Sequence, residues 1–559
     1  MVLTINHDSP RWEMIRDIEK YVGGGVSSQY AMNGAYEGAD RFDRSVALWS
    51  PPIQSADREM LPEKGLADAR VRDLQRNDGY VQTGRQLHRD GIVGSQYTLN
   101  AKPNITVLGM DEVWAGEFQQ EVEAKFTLAA ESSHHWLDAA GVNTFTALIR
   151  LAVGVYAAGG EVLATAEWLR ETGRPFQTAV QMVDADRLSS PWSHAYNTSG
   201  QRVRGGVHQD KRGKPLGYYI EKAHRSDWDR MGEAGQWTYV AARKKWGRRQ
   251  VFHVLEQQRV DQSRGLSEMV AGLKQTRIAK RFREVTLQQA ALAASYATSI
   301  ESELPSEAVF AAMGGTNLGP GAAATAYAGE YLAAVQQYAA ASKHMQLDGV
   351  KIPHFFPGTK LNVKQVGAPG GVGQEFETSI LRHLSAILGV SYEELSHDYS
   401  KTNYSSARAG MNNTWKFMQS RKKMVADRFA DFLYELWLEE QINTSSLDCM
   451  KSAKLPNFYD ALMKEAYTSA TWIGAPRGQI DEVKETQAAI LRMSKGLSTA
   501  EEECARLGKD WREVYAQMER ERKDREARGI VLEQSNAINA ASGDPREAAE
   551  PNNADPEEE

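Results

Sequence analysis

The stretch from Ala407 to Gln441 restricts the possible folds more than any other. Trp415, Met418, Val425, Phe429, Phe432 and Leu436 recur at three-, four- and seven-residue steps with no proline between them. Lys416, Arg421, Lys422 and Lys423 flank this apolar stripe. The spacing predicts one amphipathic helix. At 1.5 Å per residue it would be on the order of 50 Å long. A helix of that length suits a large assembly better than a small enzyme domain.

Other helices are expected around it. Gly65 to Leu87 has Leu66, Ala69, Leu74, Val81 and Leu87 near one face, with a break at Gly79; Val113 to Phe126 follows, and Phe145 to Ala158 is capped by Asn143 or Thr144 and ended by Gly159-Gly160. Ile92 to Leu99 reads as a strand between them. Later in the chain, Leu266 to Ser299 predicts one long helix or two, and Ala323 to Met345 and Phe376 to Leu388 read as further helices. Lys351 to Val366 reads as extended, and Ala368 to Gly373 as a loop with little steric restraint. Residues 475–528 read as helical and highly charged.

Residues 161–260 differ in kind. Short apolar runs at Val162 to Ala164, Thr178 to Val183, Gly217 to Ile220, Thr238 to Ala241 and Val251 to Leu255 are separated by Gly, Pro, Asp and Asn clusters. That is strand-and-turn chemistry. The fold class read from the whole is mixed α+β, predominantly helical.

Charge is unevenly placed. The net charge is −7, yet residues 544–559 hold seven acids against Arg546, which leaves the body close to −1. Residues 201–250 carry 13 Lys and Arg against 5 Asp and Glu. Arg202, Arg204, Lys211, Arg212 and Lys214 lie in turn-rich sequence, and Arg243, Lys244, Lys245, Arg248 and Arg249 surround Trp246. Such a cluster contacts phosphate independently of base sequence, or else serves as a solvated or protein-docking face. No recognition-helix, finger or RNA-binding signature accompanies it.

At 559 residues the chain calls for about three to four folding units. Its two cysteines, Cys449 and Cys504, exclude a disulfide scaffold and read as small buried side chains suited to a reducing cytoplasm. No apolar run approaches the ~20 residues of a membrane span, and no secretory signal is visible. No membrane partner is therefore expected.

Catalytic chemistry has no visible seat. A phosphate-binding G-x-x-x-x-G-K-[ST] loop, a G-x-S-x-G elbow, an H-E-x-x-H helix and paired C-x-x-C are all missing. His134 and His135 are adjacent, which on a helix would point them about 100° apart. His88, His253, His354 and His383 are isolated and read as structural. Glu393-Glu394 and Glu501 to Glu503 read as helix N-terminal or solvated charges, and Glu301 and Glu303 as a solvated turn. Neither a catalytic residue, nor a metal, nor a cofactor is expected.

Several stretches carry a resemblance. Trp49-Ser50-Pro51-Pro52 opens it, then Asp73 to Tyr80 with its Arg-Asn-Asp-Gly-Tyr, and His88 to Ser95 with its Ile-Val-Gly. Gly217-Tyr218-Tyr219, Phe252-His253-Val254 and Ala297 to Leu304 continue the order. The most specific piece is Leu388 to Ser396, Leu-Gly-Val-Ser-Tyr-Glu-Glu-Leu-Ser, running on into Tyr404 to Ala409 and Arg421-Lys422. In this order, across roughly residues 45 to 525, the chain resembles the lambda-type portal family of tailed phages.

The resemblance implies a portal-type fold with wing, stem, clip and crown regions. It implies a flexible N-terminal arm at 1–60, wing and first stem helix at 61–160, and a basic, β-rich clip at 161–262. A second stem helix would follow at 263–300, then more wing at 301–474. A crown-like helical region would occupy 475–530, and a disordered acidic tail 531–559. A candidate tunnel loop spans 367–374, with Gly367, Gly370, Gly371, Val372, Gly373 and Gln374.

The function implied is a ring, usually of twelve copies, at the unique capsid vertex, through which DNA is packaged and ejected. The implied partners are further copies of the chain, double-stranded DNA read without sequence preference and the terminase large subunit. Major capsid, scaffolding and head-completion or adaptor proteins complete the set. The implied location is the virion, with the host cytoplasm during assembly. The competing reading is a nuclease or ATPase subunit of the packaging machinery, which needs phosphate- or metal-binding residues that the sequence does not display.

Overall fold

The computed structural model describes residues 45, 48–191, 202–296, 329, 332–333, 345–347, 350–352, 372–400, 402–451, 455–478 and 481–530. The chain divides into two compact units, and the smaller joins the described residues up to Glu63 with Gln257–Ser263. Inside it, Asp57 accepts the Ser263 N–H at 2.8 Å, and Arg259 donates to the Gln54 carbonyl at 3.0 Å and pairs with Glu59. All that follows concerns the larger unit, Lys64–Glu256 and Arg264–Glu559.

Its first helices are α1 (Ala56–Asn77, of which the unit takes the part from Lys64) and α2 (Gly79–Ile92). The expected break falls at Asp78, whose extended backbone and side chain cap α2 by accepting the N–H groups of Tyr80 and Val81. Helix α2 runs on to Ile92, so the strand expected from Ile92 to Leu99 shrinks to β1 (Thr98–Ala101). Ile92 and Val93 are buried as the end of a helix, and Gly94 at φ +74 turns the chain out of it. Helices α3 (Glu112–Ala130) and α4 (Phe145–Gly159) follow, capped by Asp111 and Thr144.

The β-rich segment forms where the apolar runs predicted it. Strands β2 (Glu161–Trp168), β3 (Thr178–Val183), β4 (Arg202–Arg204), β5 (Val207–Gln209), β6 (Pro215–Glu221), β7 (Trp237–Ala241) and β8 (Val251–Leu255) make two sheets. One is ordered β3-β2-β8 and the other β4-β5-β6-β7, with every pairing antiparallel. Alternation sends Val162, Ala164, Val180, Phe252 and Val254 into the main helical core. Leu163, Val183 and Val251 face the other way, into a second, smaller core with Leu188, Val207, Tyr218 and Ile220. Strand β2 is thus buried on both sides between two cores.

Helix α5 (Leu273–Tyr296) comes next. The long helix expected from Leu266 starts only at Leu273, because Ser267 caps a tighter 3₁₀ turn at Glu268–Gly272. A short pair, β9 (Met345–Leu347) with β10 (Val350–Ile352), precedes α6 (Val372–Leu388). The long helix is continuous from Tyr404 to Asn443, roughly 60 Å. It comprises α7 (Tyr404–Arg421), a π-helical stretch at Lys422–Asp427, and α8 (Arg428–Asn443). Strand β11 (Ala470–Ile473) pairs with β1, and α9 (Glu482–Ser494), α10 (Ala500–Arg506) and α11 (Trp511–Arg528) complete the described chain. Phe126 gathers the core, with ring centroids of Phe145, Tyr434, Trp437 and Trp472 between 5.2 and 6.0 Å away.

The β segment leaves and rejoins the helical body at one buried junction. Glu161, fully buried, receives both Arg264 Nε and Nη2, the Gly265 N–H at 2.8 Å and His253 Nε2 at 3.2 Å, with Lys64 Nζ at 3.2 Å. Arg264 also donates to the carbonyls of Leu188, Gly205 and Ala185 at 2.6–2.8 Å. Burial pushes the Glu161 carboxyl up, but Arg264 and Lys64 outweigh it and hold the group well below its usual 4.5. The crossing chains touch at two glycines. A Cβ on Gly160, at φ +71, would sit 2.2 Å from the Leu266 carbonyl oxygen, and one on Gly265 2.2 Å from that of Gly160.

Gly160→Ala is therefore expected to lower the unfolding free energy by roughly 2–4 kcal/mol, measured by urea denaturation. Glu161→Gln leaves Arg264 buried without its charge partner and is expected to cost about 3–5 kcal/mol near pH 7. Because the folded carboxyl titrates low, that contribution is complete above about pH 4.5 and vanishes as pH falls through the depressed value. The gap between the two proteins should close on acidification, and a constant gap would contradict the assignment.

Candidate DNA- and partner-contacting surface

The basic residues of the β segment divide into two groups with different work. Arg202 pairs across from Gln209, Gln209 across from Pro215, and Gly217 across from Ala241. The start of β4, the β5–β6 turn and the end of β7 therefore lie at one end of the four-stranded sheet. Lys211, Arg212 and Lys214 are exposed on that turn. Asp210 shapes it by accepting the N–H groups of Arg212 and Lys214, both at 2.8 Å. These backbone bonds hold the Asp210 carboxyl below its ordinary value. Gly213, at φ +85, closes the turn.

Arg243, Lys244 and Lys245 are exposed on the β7–β8 turn, which closes through Lys244 N–H to Arg248 O at 2.8 Å and Gly247 at φ +96. Arg202, Lys211, Arg212, Lys214, Arg243, Lys244 and Lys245 thus form one basic end. Arg204 lies at the opposite end of β4, beside the Gly205-Gly206 turn.

Arg248 and Arg249, grouped with them by sequence, belong to the packing instead. Arg248 is only 9% exposed; it donates to Thr178 Oγ1 at 3.1 Å, lies 3.6 Å from Glu439 and covers the Trp168 ring at 5.5 Å. Arg249 pairs with Glu435 at 2.8 Å and lies over Phe432 at 5.1 Å. Both guanidiniums face the acids of α8, a helix nearly two hundred residues later, so local composition could not separate them from their exposed neighbours. Trp246 points the same way, its indole N–H directed at Glu439 at 3.3 Å.

The candidate tunnel loop divides as well. Gly367, Gly370 and Gly371 lie outside the described residues, while Val372, Gly373 and Gln374 form the first turn of α6, which begins four residues before the expected Phe376. Glu301, Glu303 and His354 also lie outside them, as does the tail beyond Ile530. His134 and His135 sit in a turn, not a helix, with His135 at φ +54 and His134 stacked on Trp136 at 4.9 Å. His88 is buried, its Nε2 2.8 Å from the Leu388 carbonyl, and His253 serves the Glu161 junction. Glu394 and Glu502 close capping boxes with Ser391 and Thr499. Cys449 and Cys504 are half-buried rather than buried, and burial pushes the Cys449 thiol up to about 12. Among the described residues, no three His, Cys, Asp or Glu side chains gather to hold a metal ion, and no helix is long and apolar enough to cross a membrane.

The family profile described as "Phage portal protein, lambda family" matches residues 42–422. The portal protein of Escherichia phage N15 is 36% identical over 509 residues, covering 90% of this chain and 93% of that one. Portal protein B of Escherichia phage lambda is 35% identical over 508 residues, covering 90% and 92%. This chain belongs to the lambda family of phage portal proteins.

A chain in the solved neck of a native gene transfer agent particle, computed with C12 symmetry, is also similar. It shares 12% identity across 80% of this chain and 99% of its own, at a TM-score of 0.34. As a portal protein the chain is a structural, non-catalytic component of the capsid vertex, with a role in the DNA-packaging channel. The nuclease or ATPase reading falls with that membership. The basic end of the sheet is then a surface on a channel component, and its side chains need only reach outward from a fixed frame.

The two groups of basic residues should separate cleanly in a stability measurement. Reversing Arg243, Lys244 and Lys245 to Glu is expected to change the unfolding free energy by no more than about 0.5 kcal/mol. Arg248→Ala, which strips a buried cation from Glu439, is expected to cost about 3–5 kcal/mol. Equal losses in urea denaturation would contradict the division.

Proposed function

We propose that copies of this chain, twelve in the usual arrangement of such rings, close around a passage for duplex DNA. In this reading residues 161–262 are the clip, the helices near 145–158 and 266–295 the stem, and residues 61–160 and 301–474 contribute the wing. Residues 475–530 lie toward the crown, and the segment 367–374, shortened at its end by α6, reaches the passage as a tunnel loop. A closed ring needs one surface to meet a different surface of the next copy, repeated by rotation.

The observation that carries the docking part is the basic end of the four-stranded sheet. Strand register brings Arg202, Lys211, Arg212, Lys214 and Arg243 together, with Lys244 and Lys245 on the adjoining turn. Exposed cations on hairpin tips favour encounter with an acidic surface and speed it. They suit the terminase large subunit during packaging and a head-completion protein afterwards, and they tolerate DNA phosphates without reading bases. Major capsid and scaffolding proteins would meet the helical body.

Negative-stain imaging of the purified full-length chain is expected to show rings with a central hole. The Lys211→Glu, Arg212→Glu, Lys244→Glu, Lys245→Glu variant should form the same rings while packaging about tenfold less DNA or worse in a reconstituted assay. Normal packaging by intact variant rings would remove the docking role from this surface. A wild-type chain that stays monomeric at high concentration would remove the ring.

A further inference from the structure

The end of the four-stranded sheet opposite the basic one carries an exposed apolar knob. Residues 222–236 join β6 to β7 there and hold their own shape. The Lys222 N–H donates to the Gln236 carbonyl at 2.9 Å, and the N–H groups of Asp227, Arg230, Glu233 and Gln236 donate in successive turns at 2.9–3.2 Å. The bases of the loop are engaged within it or beside it: Arg225 with Glu221 at 2.7 Å, Arg230 with Glu233, Lys222 with Gln236 Oε1 at 3.1 Å and His224 with Ser226 at 2.6 Å. Trp228 is nevertheless 86% exposed and Met231 63%. They stand three residues apart across a 3₁₀ turn, where such positions eclipse, so indole and thioether project together. A fixed loop that turns its two largest apolar side chains outward has the form of a protein contact.

The same chain holds a recess that suits this knob, beyond the other end of β7. A cavity of about 420 Å³ is walled by Ala166, Trp168, Trp246 and Tyr459, with Lys244 and Thr444 also lining it. All three rings are exposed. The Trp246 indole N–H and the Tyr459 hydroxyl are already turned onto Glu439 Oε1, at 3.3 and 3.0 Å, so what these two rings offer is apolar surface. A cavity of about 150 Å³ accepts a benzene ring, so this one has room for an indole with a thioether beside it. Knob and recess are separated by the five residues of β7, about 15 Å, and Trp228, being exposed, does not fill the cavity of its own copy.

We infer that Trp228 and Met231 of one copy enter the cavity between Trp168, Trp246 and Tyr459 of the next copy in the ring. A repeating heterologous contact needs a projection and a matching recess at different places on one molecule, and this chain carries both. An indole packs on aromatic rings by offset or edge contact, and a thioether sits well at their edges. Charge agrees with shape. Because the bases of the loop are engaged, the exposed Asp229 beside Trp228 is left to face a cavity lined by Lys244. Rim charges of this kind steer encounter and add little affinity, so the rings expected of the variant that reverses Lys244 are retained. The inference rests on the ring proposed above, and it supplies both halves of one of its contacts.

The test joins crosslinking to an assembly measurement, both on full-length protein. In a chain whose Cys449 and Cys504 are replaced by Ser, Met231→Cys together with Thr444→Cys is expected to give a ladder of disulfide-linked multimers when assembled rings are mildly oxidised. Either substitution alone should give none. In the otherwise natural chain, Trp228→Ala is expected to raise the concentration at which rings form about tenfold or more, by sedimentation and negative-stain imaging. Melting of the unassembled chain should be unchanged, since the side chain lost is exposed. Rings of the double-cysteine variant that do not crosslink overturn the inference while leaving the ring itself standing. Crosslinking by Met231→Cys alone means that knob meets knob, and overturns it too. Normal assembly of the Trp228→Ala chain is a third overturning result, and a packaging loss by those rings would give the knob to a different protein. Lowered melting of the unassembled Trp228→Ala chain puts the indole to work in its own fold and also overturns it. A wild type without rings removes the inference together with the reading beneath it.

Discussion

The buried contact of Glu161 with Arg264, Lys64 and His253 decides how the rest of this molecule is held together. It stands where the chain leaves α4 for the β segment and where it returns, more than a hundred residues later. Antiparallel sheets supply only their own internal order. Apolar packing of β2, β3 and β8 holds them against the helices, and their placement at the two chain crossings is set by a carboxylate surrounded by donors and a guanidinium that also ties down three carbonyls, of Leu188, Gly205 and Ala185. A buried pair of this kind contributes little net free energy compared with an apolar substitute, yet strands a charge when one member is lost. Its value here is geometric, since a hydrophobic patch would allow the two chain crossings to slide, whereas directed bonds in fixed places do not.

Strand β2 extends that control outward. Because Val162 and Ala164 face one core and Leu163 the other, a slip of one residue would exchange the two faces. Arg248 and Arg249 then clamp the entry to β8 against Glu439 and Glu435 of α8. The cations left over, on the β5–β6 and β7–β8 turns, are solvated at the end of a sheet whose other side is anchored. Structural and displayed charges are neighbours in sequence and differ in which acids the fold places within reach.

That difference sets how far the amino-acid sequence alone discloses the fold and its surfaces. Strands at Val162, Thr178, Gly217, Thr238 and Val251 are legible because period-two apolar runs between turn residues leave few alternatives, and the long helix because its stripe persists for many turns. Ile92 and Val93 mislead because two adjacent β-branched residues suit a strand as well as a buried helix end, and only Gly94 tips the balance. The basic end is legible as composition but not as a surface. Separating Lys245 from Arg248 requires Glu439, and nothing near residue 248 announces it. The contact between α2 and α4 is hidden for a related reason, since Gly154 reads as a weak point in α4 until the Arg89 guanidinium of α2 is laid against its backbone.

The π-helical stretch from Lys422 to Asp427 carries a consequence for how this helix can vary. A widened turn accommodates about one residue more than regular helix, and each residue advances the winding by about 100°. Asp427 sits in this turn and takes the hydroxyl of Tyr97 and the ammonium of Lys422. Trimming the surplus residue would yield straighter backbone hydrogen bonding, yet it would swing everything downstream by that same angle. Phe429 and Phe432 would leave Phe252, now at centroid distances of 5.0 and 5.5 Å, and Glu435 and Glu439 would turn away from the arginines they hold. A locally imperfect winding thus sets the phase between the two halves of this helix, and chain length at this place is fixed by neighbours that lie far from it in sequence.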